Sequence, residues 1–285
     1  GSPMIAKMLV AIDTHQSTQN MMTQASVLAR SEKSHVTLLS AVPAYEGDLR
    51  MMGKTKILEE MREPYRQALI QAEETAKAFG LKTRSVLEEG EPYDIIVKQA
   101  EKEDVDLIVL NKKALYSMDL LPIGAVTTRV INHSQKDTLV IPKQATLNLE
   151  RILLAYDNSR VSEKAAEKAI ELALVYGSEI TVITAYEVPL EGFVLSPEIW
   201  DKMQAEAKRL QDTVIQLAKN KGVRKINGIL RHGKPAEEIC SLAREIDAGL
   251  IVIGRRKKTP LKKWFLGNVV QHVIVNDTSP VWVVK

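Results

Sequence analysis

The chain has 285 residues, a formal net charge of +3 and an ordinary balance of apolar and charged residues. So small a charge excludes a general nucleic-acid binder, which would present a strongly basic face. The length exceeds a usual single domain of roughly 100 to 200 residues, so two globular domains are expected.

The apolar runs of the sequence are short. The longest, such as Leu107 to Leu110 and Leu250 to Ile253, fall far below the roughly 20 residues that a membrane-spanning helix needs. The N-terminus carries no signal-peptide pattern. We therefore expect a soluble cytoplasmic protein that binds neither membranes nor nucleic acid.

The first half of the sequence is repeated in the second half. An apolar run that ends in aspartate occurs twice, and further landmarks follow it at a nearly constant offset. The matching pairs are Met8 to Asp13 with Ile152 to Asp157, Gly90-Glu91-Pro92 with Gly233-Lys234-Pro235, Asp106 to Leu110 with Gly249 to Ile253, and Gly124 with Gly267. We predict two copies of one domain, residues 4–143 and 149–285, joined by a short polar linker.

In chain order, the first copy is predicted to open with the apolar run ending at Asp13, followed by a helix capped by Ser17 or Thr18. A later helix begins at Pro92, because proline is favoured in the first turn. The second copy repeats this order, with Asn158 or Ser159 as the first cap and Pro235 at the later start. Its predicted strands are 152–156, 180–185, 226–230, 250–253 and 281–284.

These strands lack polar alternation, so they are expected to be buried on both faces of a parallel sheet. Helical stretches separate them, and right-handed crossovers then give an α/β fold. We predict two tandem doubly wound domains, each a five-stranded parallel sheet with helices on both faces. The last strand of each copy would lie at a sheet edge and pair with its counterpart, relating the domains by a pseudo-twofold axis.

Ligands of an open α/β sheet bind beyond the carboxyl ends of the strands. In the second copy this rule selects Asp157 after the first strand and the segment that follows the fourth strand. That segment, residues 254–268, carries six cations between two glycines and leads into a helical stretch. Backbone N–H groups at a helix start, with cations beside them, suit a phosphate.

At this point the sequence resembles the universal stress protein family over essentially its whole length. Nucleotide-binding members carry G-x-x-G, nine residues, then G-[ST] after the fourth strand. The resemblance implies that Asp157 contacts the adenine of ATP and that the loop from Gly254 to Gly267 holds the phosphates. Arg255, Arg256 and the amide of Asn268 would add phosphate contacts.

Two departures from the family pattern concern the second copy. Lys257 stands where the second glycine belongs, which argues against ATP if that glycine needs a positive φ. Asn268 replaces Ser or Thr, a milder change because an amide still donates a hydrogen bond.

The first copy departs further, with Asn111, Ala114 and Ala125 at motif positions and only Gly124 retained. We expect its cleft to be filled by side chains, with Asp13 in a structural role.

Several enzyme classes are excluded by their motifs. The sequence contains neither a P-loop string nor G-x-G-x-x-G after a first strand, and its five histidines are scattered without a metal-ligand spacing. Two hypotheses remain: a nucleotide-responsive regulator and an adaptor with a degenerate site.

The sequence favours a non-catalytic stress-response regulator or adaptor with one ATP site in the second copy and no metal. It suggests an intrachain pseudo-dimer that forms homodimers through other surfaces. An ATP-binding protein with weak nucleotide hydrolysis is the alternative, although no catalytic base can be identified.

Overall fold

The computed structural model describes residues 3–44, 54–112, 124–187, 197–255, 268–276 and 278–285. The chain divides into two compact units, Gly1–Ala145 and Thr146–Lys285. Among the described helices, none is long and apolar enough to cross a membrane.

The first unit alternates strands and helices from its beginning to its end. Its elements are β1 (Lys7–Ile12), α1 (Thr18–Glu32), β2 (His35–Pro43), α2 (Lys54–Ala78), β3 (Thr83–Gly90), α3 (Pro92–Lys102), β4 (Leu107–Asn111), α4 (Ala125–His133) and β5 (Asp137–Ile141). All neighbouring strands pair in parallel, in the order β3-β2-β1-β4-β5. The order reverses beside β1, which is typical of a doubly wound sheet.

The second unit repeats this plan. Its elements are β6 (Arg151–Ala155), α5 (Arg160–Tyr176), β7 (Glu179–Tyr186), α6 (Pro197–Lys221), β8 (Ile226–His232), α7 (Pro235–Glu245), β9 (Leu250–Gly254), α8 (Asn268–Asn276) and β10 (Val281–Val284). The parallel sheet has the order β10-β9-β6-β7-β8. The predicted five-stranded doubly wound fold is therefore confirmed for both copies, and the five strands predicted in the second copy are all present.

Both faces of each sheet are covered by helices, as the unbroken apolar strands require. In the first unit α1 packs on α2, and α3 packs on α4. Alternate strand residues such as Leu9, Ile108 and Leu110 form a core with Ile96 of α3 and Val130 of α4. The central strands are apolar throughout because they contribute to two cores, one on each face.

The helix starts follow the predicted chemistry in the second unit. The Ser159 side chain accepts a hydrogen bond from the Ser162 N–H group and caps α5, and Pro235 occupies the first turn of α7. In the first unit Ser17 occupies the N-cap position of α1 without making a cap bond. Its hydroxyl lies 2.6 Å from His15 Nδ1 instead. The capping role predicted for Ser17 is therefore wrong, because the nearby imidazole takes the hydroxyl.

The repeated glycine before each Pro-initiated helix has a backbone reason. Gly90 and Gly233 have φ values of 150° and 151°, a region that side chains strongly disfavour. Each glycine ends or follows an edge-side strand and turns the chain into α3 or α7. The landmark that identified the repeat in the sequence is thus a turn that the fold needs twice.

Gly254, at the end of β9, is required by close packing. A Cβ atom added there would clash with the backbone carbonyl of Val161, in the first turn of α5. The helix start therefore sits directly against the end of the strand. This contact gives Gly254 a structural role that is separate from any ligand.

We expect Gly254→Ala to lower the free energy of unfolding by about 1–3 kcal/mol without any ligand, because the methyl group forces α5 away from β9. Urea unfolding of the ligand-free protein measures this change. As a control, Ile253→Val in the same strand deletes one buried methylene and should cost about 0.5–1.5 kcal/mol. A Gly254→Ala protein as stable as wild type would contradict the close approach.

Candidate functional site

Each unit carries an aspartate just beyond the carboxyl end of its first strand. Asp13 follows β1 and Asp157 follows β6 by two residues. Both therefore lie where the strand order reverses, the position at which α/β folds bind their ligands. The two carboxylates have opposite surroundings, however: Asp13 is 2% exposed, whereas Asp157 is exposed.

Asp13 takes its hydrogen bonds from the protein. Its Oδ1 accepts from the Thr18 hydroxyl at 2.6 Å and from the His15 backbone N–H at 2.7 Å. Its Oδ2 accepts from the Asn111 side-chain amide at 3.0 Å, and the same amide donates to Thr18 Oγ1 at 3.1 Å. Asn111 thus occupies a position of the degenerate loop motif and closes over the aspartate.

Burial raises the pKa of Asp13 above its ordinary value of 3.8, while the hydrogen bonds from Thr18, Asn111 and His15 oppose that rise. Nearby, the pKa of Tyr65 is also raised, first by burial and then by the negative charge of Asp13. Because the net shift is upward, the effect of burial on the pKa of Asp13 exceeds the opposing effect of its hydrogen bonds. The Asn111 Oδ1 atom beside it is buried and has no hydrogen-bond partner within the described part of the chain.

The prediction that side chains fill the first cleft is only half right. Asn111 and Thr18 do fill the side of Asp13 toward β4, but a cavity of about 270 Å³ lies on the side toward α2. Ala68 and Ala72 of α2 line this cavity and are too small to close it. Asn111, one of the motif residues used in the sequence prediction, contacts Asp13 from the end of β4, and the prediction did not consider α2.

In the second unit the positions of the two side-chain donors to Asp13 are occupied differently. Gly254 stands at the position of Asn111 and has no side chain to offer. The Ser162 hydroxyl, at the position of Thr18, donates to the Ser159 carbonyl at 2.8 Å rather than to Asp157. Asp157 Oδ1 accepts from the Ser159 N–H at 2.9 Å, and the carboxylate faces solvent.

A cavity of about 470 Å³ lies beside Asp157, beyond the ends of β6 and β7. This volume lies within the roughly 300–1,000 Å³ typical of small-molecule sites. One wall comes from α6, whose apolar and charged side chains alternate around the opening. The lining residues on that helix are Ile199, Lys202, Met203, Glu206, Ala207 and Leu210.

Tyr156 and Thr184 form part of the cavity floor. The Thr184 hydroxyl donates to the Tyr156 carbonyl at 2.8 Å, which joins β7 to the end of β6. The Tyr156 hydroxyl donates to Asn158 Oδ1 at 3.1 Å, and burial raises the pKa of this tyrosine. Asn158 has a φ of 63°, a left-handed conformation that asparagine tolerates better than most residues.

The remaining predicted site residues are only partly described. Arg255 is half-buried after β9, its N–H donates to the Val284 carbonyl at 2.7 Å, and burial lowers the pKa of its guanidinium. Arg256, Lys257 and Gly267 lie outside the described residues, as does Ala114 in the first copy. Asn268 begins α8, but its side chain lies outside them as well. The structure thus brings Asp157 and Gly254 to one edge, and the phosphate loop stays a prediction.

Sequence reasoning missed the wall of α6 and the role of Asn111. The spacing of Ile199, Met203, Ala207 and Leu210 marks one face of a helix, a signal that equally suits an ordinary core face. Asn111 bonds to a residue 98 positions away, and no local pattern announces that contact. Within the described ranges, no group of three or more His, Cys, Asp or Glu side chains could hold a metal ion.

We expect the buried carboxyl of Asp13 to make the stability of the protein depend on pH. Because its pKa is raised in the folded state, its protonation stabilises the fold fully below the unfolded value near 3.8. This contribution is lost as the pH rises through the folded pKa. Asp13→Asn mimics the protonated form at every pH, so this pH-dependent contribution to stability should disappear in the variant.

Urea unfolding at a series of pH values from about 4 to about 8 measures this effect. The matched control is Asp157→Asn, which changes an exposed carboxylate at the equivalent position and should keep the wild-type pH profile. A pH profile of Asp13→Asn that coincides with wild type would contradict the desolvation of Asp13.

Comparisons with known proteins identify the repeated unit. The model of the universal stress protein family matches residues 4–142 and again residues 148–285. A universal stress protein of Methanocaldococcus jannaschii is 35% identical over 142 residues, 48% of this chain and 82% of that protein. One from Bacillus subtilis is 32% identical over 145 residues, 47% of this chain and 98% of that protein. Each match has about the length of one unit.

A solved structure aligns with both units. A universal stress protein from Archaeoglobus fulgidus aligns over 99% of this chain and 96% of its own, with a TM-score of 0.76 and 20% identity. At that identity the likeness concerns the fold alone. Because the family model covers nearly the whole sequence, the chain belongs to the universal stress protein family as a tandem member with two family domains.

Proposed function

We propose that this protein is a non-catalytic regulator or adaptor of the stress response that binds an adenine nucleotide in its second unit only. The observation that carries the proposal is the contrast between the two aspartates. Asp157 is exposed beside a cavity of about 470 Å³, whereas Asp13 is buried and bonded to Asn111. Of these two aspartates, Asp157 is the one that solvent, and hence a ligand, reaches readily.

The chemistry of the second cavity suits an adenosine group. A carboxylate accepts a hydrogen bond from an exocyclic amine, which is the role that the family resemblance implies for Asp157. Apolar side chains of α6, among them Ile199, Met203 and Leu210, can cover a flat heterocycle. Lys202 at the same wall supplies a positive charge for the polar part of the ligand.

Phosphate binding is proposed for the segment that begins at Gly254. Arg255 follows this glycine, and the basic residues beyond it, including Arg256, extend the positive charge toward Gly267 and Asn268. Arginine donates two parallel hydrogen bonds to a phosphate, so these side chains suit a nucleotide better than a nucleoside. Lys257 could interfere with this loop or contribute a further cation.

A binding role is favoured over turnover because, apart from Asp157, the described lining residues include no group well suited to activate water. Glu206 is the one other carboxylate among the lining residues that the structure describes. Two hydrogen bonds from Arg209, at 2.6 and 2.9 Å, lower the pKa of Glu206 and make it a weak base. Binding that alters contacts with protein partners fits this composition.

We expect Asp157→Asn to weaken ATP binding about tenfold, because one charge-assisted hydrogen bond is lost, a change of about 1.4 kcal/mol. The matched control, Asp13→Asn, should leave the affinity within about twofold of wild type. Isothermal titration calorimetry of the full chain with ATP measures both.

The proposal fails if wild type shows no ATP binding at millimolar nucleotide, a result that would favour a ligand-free adaptor. A large loss of affinity in Asp13→Asn with none in Asp157→Asn would place the site in the first unit. Steady release of phosphate that is abolished by Asp157→Asn would replace the regulator with the weakly hydrolysing alternative.

A further inference from the structure

A buried glutamine ties α6 to the sheet directly beneath the second cavity. Gln211 is 3% exposed. Its side-chain nitrogen lies 3.1 Å from the Val182 carbonyl, 3.3 Å from Thr184 Oγ1 and 3.0 Å from the Ile229 carbonyl. Its two N–H groups thus serve three acceptors on β7 and β8. Such a buried amide is costly to leave unpaired, so its position is narrowly defined.

Gln211 follows the residues of α6 that line the cavity. Leu210 and Ala207 precede it by one and four positions, and Met203 lies one further turn away. Because residues four apart share a helix face, Gln211 continues the face formed by Met203 and Ala207. The lining residues of α6 end at Leu210, so Gln211 lies just beyond them along the helix.

The same amide is connected to the cavity floor. Thr184 accepts from Gln211 while its own hydroxyl donates to the Tyr156 carbonyl at 2.8 Å. Both Thr184 and Tyr156 line the cavity, and Asp157 is the next residue of the chain. A chain of hydrogen bonds therefore joins the wall of α6 to the segment that presents the carboxylate.

The sheet makes room for Gln211 at one residue. A Cβ atom added to Gly228 of β8 would overlap the side chain of Gln211. Gly228 pairs with Val182, whose carbonyl is one of the acceptors. The large amide on the helix and the missing side chain on the strand are thus complementary.

The first unit supplies a natural comparison within one chain. The two helices end in matching turns, in which the Leu81 N–H donates to the Ala76 carbonyl and the Val223 N–H donates to the Ala218 carbonyl. Counted back from these turns, Gln211 of α6 corresponds to Leu69 of α2. In the sheet, Ser85 pairs with Leu38 as Gly228 pairs with Val182. The first unit therefore has Leu and Ser where the second has Gln and Gly.

This exchange removes a polar connection between helix and sheet. Leu69 is buried like Gln211, but its side chain has no hydrogen-bond donor. The bonds that Gln211 makes to β7 and β8 therefore cannot form from this position of α2.

We propose that Gln211 is a positioning residue for the ligand site of the second unit: it fixes the wall of α6 against the floor that carries Thr184, Tyr156 and Asp157. The effect on ligands rests on the proposed nucleotide site, but the effect on the wall does not. Gln211 acts through Thr184 and the helix rather than by touching the ligand.

The first test needs no ligand. In Gln211→Leu, which keeps most of the volume and loses all donors, amide hydrogen exchange of the full chain should become about tenfold faster at Tyr156 and along residues 199–210 of α6. The control is Val214→Ala, which removes buried volume from α6 without touching Thr184. Unchanged protection at these amides in Gln211→Leu would overturn the proposal, whether or not the protein binds ATP.

The second test separates positioning from stability. At a temperature where all variants are folded, Gln211→Leu and Thr184→Val should bind ATP about tenfold more weakly, whereas Thr184→Ser, which keeps the hydroxyl, should bind as wild type does. Val214→Ala should lose stability and keep its affinity. Equal affinities in Gln211→Leu and wild type would overturn the role in ligand binding.

If Gln211→Leu does not fold, the variants Thr184→Val and Thr184→Ser still test the proposal, because both retain Gln211. Wild-type affinity and exchange in Thr184→Val would then overturn the proposal. An absence of ATP binding in wild type refutes the proposed function alone, because the exchange experiment still tests the coupling of the wall to the floor.

Discussion

A carboxylate at the end of a parallel strand has to find hydrogen-bond donors, and the two units of this protein meet that constraint differently. In the first unit Asp13 is removed from water, so its donors come from Thr18, His15 and Asn111. These bonds hold the start of α1 against the end of β4. The buried charge is still costly, and the raised pKa of Asp13 records that cost.

The second unit leaves the same position open. Gly254 has no side-chain donor and allows α5 to approach β9 closely, while Ser162 donates its hydroxyl to the Ser159 carbonyl. Asp157 therefore faces solvent beside a cavity whose wall Gln211 secures. The first unit thus buries its carboxylate among donor side chains, and the second keeps its carboxylate exposed. We infer that the duplicated fold divides stability and ligand binding between its copies.

Much of the fold could be predicted because its signals are local. The apolar strands, the Ser159 cap and the Gly-x-Pro turns each depend on a few neighbouring residues, and the repeat doubled every signal. The bond from Asn111 to Asp13, the amide of Gln211 and the cavity beside Ala68 depend on residues far apart in the sequence. Such contacts follow from the packing of helices on the sheet, which periodicity does not specify.

The most direct measurement of this account is the number of ATP molecules that bind to one unmodified chain. Calorimetric titration to saturation yields this stoichiometry independently of the affinity, provided that the protein concentration exceeds the dissociation constant. A division of roles between the two units predicts one ATP per chain. Two ATP molecules per chain would show that Asn111 does not close the first unit, and none would contradict a nucleotide site in the second.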